Sequence, residues 1–120
     1  MARIAVLDDS KFMRNLVTKM LEQAGHEATP CEESSLSGIQ EHFRAVIPDL
    51  VLTDYQMPGC NGLTVARIAH QQRPDLPVLL LTATHDPDIE GALLKMQPLH
   101  ILHKPVQQEE LLAAVTRMLG

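Results

Sequence analysis

The chain has 120 residues, enough for one domain over residues 1–120 with a single buried core, and nothing calls for a second. Hydrophobic residues make up 45% and aromatic ones only 2%, so the core is expected to be aliphatic and methionine-filled; a net charge of -5 with ten scattered basic residues argues against direct nucleic-acid binding. The N-terminus is too short for a signal peptide, no apolar run approaches the roughly 18 residues of a membrane span, and Cys31 and Cys60 lack metal-ligand spacing. The expected address is the cytoplasm, without membrane contact and with both thiols reduced.

The first apolar run, Ile4-Ala5-Val6-Leu7, reads as a strand and ends in Asp8-Asp9. Behind Ser10 as N-cap, Met13, Leu16, Val17, Met20, Leu21 and Ala24 recur at helical spacing until Gly25 stops the helix. Glu27 to Cys31 is a weak strand, expected at a sheet edge, and Ser34 to Val46 carries a partial helical stripe through Leu36, Ile39, Phe43 and Val46. Leu50-Val51-Leu52-Thr53 is a buried strand ending in Asp54, followed at once by Tyr55-Gln56-Met57-Pro58-Gly59. Asn61 caps a third helix with Leu63, Ala66 and Ala69 on its inner side, closed by Arg73-Pro74.

Val78-Leu79-Leu80-Leu81 is the fourth strand and ends in Thr82-Ala83. Asp86 as N-cap and Pro87 at the first helical position open the fourth helix, which is expected to end near Met96 because Pro98 disfavours helix at Gln97. Ile101-Leu102 leads through His103 to Lys104-Pro105. The last helix has Glu109 and Glu110 in its first turn and Arg117 in its last, complementing the helix dipole, with Leu111, Leu112, Val115, Met118 and Leu119 as its buried side.

Strand and helix alternate about five times, which predicts an α/β fold with a parallel sheet covered on both faces. In such a sheet the carboxyl ends of the strands share one edge, where ligands bind at the switch of strand order. Asp8, Asp9, Asp54, Thr82 and Lys104 would therefore converge. Three acids repel unless a cation sits among them, and carboxylates, a backbone carbonyl and waters are the hard oxygen ligands that Mg²⁺ prefers. A carboxylate can act as nucleophile toward a phosphoryl group, and the transfer needs mainly charge neutralisation, which Mg²⁺ and Lys104 would supply alongside the Thr82 hydroxyl.

With Asp8-Asp9, Asp54, Met57-Pro58-Gly59, Gly62, Thr82-Ala83 and Lys104-Pro105 in order, the chain resembles a receiver domain of the two-component response regulators, similar to the chemotaxis regulators, from Arg3 to its end. The resemblance implies a doubly wound, flavodoxin-like three-layer sandwich of five parallel strands in the order 2-1-3-4-5 with five helices. It implies that Asp54 accepts a phosphoryl group from a histidine kinase or phosphotransfer protein, and that Asp8, Asp9, Asp54 and the main-chain carbonyl of Gln56 hold Mg²⁺. Thr82 becomes the switch hydroxyl, Lys104 the cation paired with the phosphoryl oxygen, and the bond before Pro105 is cis. Such a protein is a signalling phosphoacceptor that assists its own phosphorylation and dephosphorylation, controlling an output domain or a downstream protein. Homodimerisation or docking is expected through the fourth helix, fifth strand and fifth helix.

Ile101 stands where family members often carry an aromatic that changes rotamer with the switch hydroxyl, so that readout is not expected here. Lys95-Met96-Gln97-Pro98-Leu99 replaces the usual small, glycine-containing connection, which predicts a reshaped fourth helix and loop. The six histidines show no consistent ligand spacing; they are expected to be mostly solvated, with His85 merely near the site, and the methionines to fill core.

Three other readings fit less well. A Mg²⁺-dependent aspartyl-nucleophile phosphatase places one residue between its two first-strand acids and needs a cap domain or longer chain. A flavin- or nucleotide-binding module wants a glycine- or hydroxyl-rich loop where Asp8-Asp9-Ser10-Lys11 stands. A degenerate receiver that only binds partners would not need the full acid, hydroxyl and lysine set.

Overall fold

A computed structural model describes residues 2–32, 35–57 and 60–120. The chain runs β1 (Arg3–Leu7), α1 (Lys11–Gln23), β2 (Glu27–Cys31), α2 (Leu36–Val46), β3 (Leu50–Asp54), α3 (Gly62–Gln72), β4 (Val78–Thr82), α4 (Pro87–Leu94), β5 (Leu99–His103) and α5 (Gln108–Leu119). All neighbouring strands are parallel, in the order β2-β1-β3-β4-β5. The chain thus moves outward from β1 to β2, returns across β1 to β3 and proceeds to β5. The switch of direction lies between β1 and β3, where a parallel sheet opens a crevice at its carboxyl edge.

Burial explains which runs became central. β3 and β4 are buried at every position, as unbroken apolar runs between two helix layers should be. β2 contains Pro30, which lacks a ladder donor and is tolerated because this strand lies at the sheet edge beside β1. Alternate strand residues feed two cores. Ala5, Leu7, Val51, Val78 and Leu80 face Ile39, Phe43, Val65, Ala66, Ala69 and Leu93 of α2, α3 and α4. Ile4, Val6, Leu50, Leu52, Leu79 and Leu81 face Val17, Leu21, Leu111, Ala114 and Val115 of α1 and α5.

Helix starts follow the sequence closely. The side chains of Ser10, Ser35, Asn61 and Asp86 accept N–H bonds from Met13, Gly38, Thr64 and Asp88. Ser34, the expected start of α2, lies outside the described residues, and Ser35 is the cap. Buried stripes are narrower than predicted, because a helix laid on a sheet buries one line of side chains. Val17 and Leu21 are buried in α1 whereas Leu16 and Ala24 are exposed, and Leu36 of α2 is exposed too. In α5 the buried set is Leu111, Ala114 and Val115, with Leu112, Met118 and Leu119 only half-buried.

α4 stops at Leu94, earlier than the proline at 98 alone predicts. The Gln97 side chain takes over: its Nε2 donates to the Leu94 carbonyl at 3.1 Å and its Oε1 accepts from the Leu99 N–H at 3.2 Å. One residue thus closes the helix and starts β5. The Gln97–Pro98 and Lys104–Pro105 peptides are both cis.

Candidate functional site

The carboxyl edge of the sheet gathers the polar residues that the strand endings supply. Asp8 follows β1, Asp54 is the last residue of β3, Thr82 the last of β4, and Lys104 follows β5. Asp8, Asp54 and Thr82 are the buried ones, while Asp9 and Gln56 are exposed. Carboxylate oxygens of Asp8, Asp9 and Asp54 lie within 4.8 Å of one another. Lys104 Nζ stands 3.0 Å from Asp54 Oδ1.

Each group has a local reason for its place. Asp8 Oδ1 accepts the Ser10 N–H at 2.9 Å, so the residue that caps α1 also orients the acid, and Arg14 Nη1 donates to the Asp8 carbonyl at 2.6 Å. The Tyr55 N–H donates to the Leu81 carbonyl at 2.8 Å, which keeps the chain beside β4 after β3 has presented Asp54. The Lys104 N–H donates to the Thr82 carbonyl at 2.8 Å, tying the two strand ends together. Thr82 Oγ1 accepts the Thr84 N–H at 3.1 Å. Ile101 is half-buried against the core shared with α2, α3 and α4. Pro58 and Gly59 of the expected turn lie outside the described residues.

Gly62 is required by a close approach. Its N–H donates to the Tyr55 carbonyl at 2.7 Å, and a Cβ there would stand 2.6 Å from Leu80 Cδ1, 3.0 Å from Tyr55 Cα and 3.3 Å from the Asp54 carbonyl oxygen. Leu80 is wholly buried and the other two atoms are backbone, so none can yield cheaply. A Gly62→Ala variant is expected to lose about 1–3 kcal/mol, the usual cost of overpacking. Urea denaturation measures it; an unchanged midpoint would show that α3 can retreat freely from the acid-bearing strand.

The electrostatics favour a cation. Burial pushes the Asp8 carboxyl above its ordinary value; the nearby Asp54 and Asp9 charges push the same way, against the Ser10 N–H and the Lys104 ammonium. A single lysine thus leaves the acids uncompensated, and the all-oxygen donor set is the kind that takes Mg²⁺.

The sequence profile of the response regulator receiver domain matches residues 4–116. The chain is 34% identical to the protein PilH of Pseudomonas aeruginosa and 30% identical to the protein CcdB of Bacillus subtilis, covering all of this chain and 99% of each relative.

The chain belongs to the response regulator receiver family.

It is also 31% identical to the DNA-binding transcriptional regulator NtrC of Escherichia coli, over 96% of this chain but only 24% of that protein. The chemotaxis protein CheY4 of Vibrio cholerae superposes with a TM-score of 0.88 at 25% identity, covering 98% of both chains. This receiver is thus a phosphoacceptor of two-component signalling, and the phosphatase reading is left without support. Receiver domains generally use Mg²⁺ at an acidic pocket, and in this chain Asp8, Asp9 and Asp54 form a cluster of acids. Among the described residues no helix is long and apolar enough to cross a membrane.

The histidine reading needs correction. Five of the six are half-buried and only His85 is exposed. His26 Nδ1 accepts the Ala2 N–H at 3.3 Å, and His70 Nε2 lies 3.0 Å from the Leu76 carbonyl. His85 is not merely near the site: its ring stacks on His103, whose Nε2 contacts Glu90 Oε1. Spacing along the chain hid this group, because β4 and β5 are adjacent and α4 packs against β5.

Proposed function

We propose that Asp54 is the residue of this receiver that accepts the phosphoryl group, donated by the phosphohistidine of a histidine kinase or phosphotransfer protein. The observation that carries the choice is the 3.0 Å pair between Lys104 Nζ and Asp54 Oδ1 inside the carboxylate cluster. Asp8 and Asp9 each lack an equivalent lysine partner among the described ion pairs, and of the three acids Asp54 alone ends a strand buried at every position. In the transfer, Asp54 Oδ forms a bond to phosphorus as the bond to the donor imidazole breaks, and the imidazole leaves to be protonated.

Asp8, Asp9, Asp54 and the Gln56 main-chain carbonyl would hold Mg²⁺, which when bound neutralises charge on the phosphoryl oxygens. Lys104 contributes the second positive charge and holds the acceptor carboxylate in place. Thr82, one strand over, supplies the hydroxyl that follows the new phosphoryl oxygen, giving up the Thr84 N–H it now accepts. Ile101 has few rotamers and no polar tip, so the switch is read through loop 83–86 and α4 instead. The face of α4, β5 and α5 is then the surface offered to an output domain, a downstream protein or a second copy.

The test uses acetyl phosphate with Mg²⁺. Intact-mass analysis is expected to find one added phosphoryl group per chain, and peptide mapping to place it on Asp54. No added phosphoryl group, or one mapped to Asp8 or Asp9, would refute the assignment.

A further inference from the structure

We infer that His85, Glu90 and His103 form a second metal site, selective for a borderline-soft divalent ion of the Zn²⁺ class, on the flank of the acceptor pocket. The three residues come from three elements: the loop after β4, the first turn of α4 and the end of β5. One ring nitrogen of each histidine and a Glu90 oxygen lie within 4.8 Å of one another. The two imidazoles stack face to face, with centroids 4.3 Å apart and planes 7° from each other, so the group is gathered but one ring must turn before both can point a nitrogen at a common ion. A tetrahedral ion with bonds of about 2.0–2.1 Å spaces its ligand atoms roughly 3.4 Å apart. Reaching that arrangement turns the His85 ring out of the stack, and His85 is the exposed member of the pair and has room to turn.

The donor chemistry separates this site from the acidic one. Two imidazoles and a carboxylate suit Zn²⁺ with a water in the fourth position, whereas Asp8, Asp9 and Asp54 offer only oxygen, which suits Mg²⁺. The position is also pointed. His103 pairs with Thr82 across the β4–β5 ladder and directly precedes Lys104, while His85 lies three residues beyond Thr82. An ion held there ties the loop after β4 and α4, the parts that the proposed switch moves, to the end of β5. That consequence rests on the receiver reading; the binding itself does not.

Calorimetric titration of Zn²⁺ into the whole chain, in excess Mg²⁺ at neutral pH, tests the proposal. One Zn²⁺ per chain is expected, lost in His85→Ala and in His85→Ala/His103→Gln, and retained in Asp9→Asn and in Cys60→Ser. His85→Ala should still melt higher with Mg²⁺, which shows an intact fold and acidic site. In the unaltered protein, NMR of the imidazole rings should show His85 and His103 shifting with Zn²⁺ while His26 and His70 stay fixed. Zn²⁺ binding that survives the double replacement, that disappears in Asp9→Asn, or that leaves the His85 and His103 rings unmoved would overturn the site and leave a plain histidine–glutamate contact. Failure of Zn²⁺ binding with normal labelling by acetyl phosphate would sink this inference and leave the Asp54 assignment standing.

Discussion

An Asp54→Asn variant remains unlabelled by acetyl phosphate under conditions that phosphorylate the unaltered chain fully. The amide removes the anionic nucleophile while keeping the size of the side chain, and its neighbours Thr53 and Leu81 are packed as before. A neutral amide also no longer attracts Lys104, so that ammonium is released from its 3.0 Å contact, and any change in stability stays small compared with the complete loss of labelling. A Lys104→Ala variant separates positioning from acceptance. It should still be labelled, more slowly, because the nucleophile is intact, yet it should lose the accompanying movement of α4, seen as missing amide shifts in that helix. Full labelling of Asp54→Asn on intact-mass analysis would show that another carboxylate is the acceptor.

Mg²⁺ is expected to raise the melting midpoint by on the order of 10 °C at a hundredfold excess over its dissociation constant, equivalent to about 2.7 kcal/mol of linkage. The size of the rise depends on pH with a definite sign. Burial, joined by Asp54 and Asp9, raises the Asp8 pKa in the folded state, so the metal-free fold binds a proton more readily than the unfolded chain. Its stability contribution is therefore present in acid and lost as pH rises from the ordinary carboxylate range through the raised value. Mg²⁺ competes with that proton, so its effect is small in acid, grows across this window and then levels off. Thermal melts over a pH series with and without Mg²⁺ measure it. An Asp9→Ala variant should flatten the Mg²⁺ effect, and an equal rise in that variant, or a rise that is largest in acid, would contradict the metal assignment.

Much of the acidic site was legible because its residues are strand endings. An apolar run stopped by Asp8-Asp9, Asp54, Thr82 or Lys104 states both where the strand stops and what it presents. Parallel pairing then brings those endings together whatever lies between them. Helix starts were legible for a similar local reason, since a capping side chain bonds N–H groups two or three residues ahead. Helix ends were less so. α2 closes at Ile47 with a left-handed φ of 52°, a conformation unusual for a branched residue that no local signal announces. α4 closes through Gln97, whose two polar atoms serve the helix and the next strand at once.

The sequence by itself determined the alternation of strand and helix, the parallel sheet, and the acid, hydroxyl and ammonium set at its carboxyl edge, because each is written in short-range pattern. Only the tertiary structure decided which side chains share a neighbourhood without sharing a stretch of chain. Gly62 is held by atoms of Leu80, Tyr55 and Asp54, and Arg14 reaches back to the Asp8 carbonyl. His85, Glu90 and His103 meet because β4 and β5 end side by side and α4 packs against β5, a juxtaposition that depends on the pairing of strands and the path of a crossover. Sequence periodicity reports which face of an element is apolar, whereas contacts between the ends of different elements depend on how those elements are stacked.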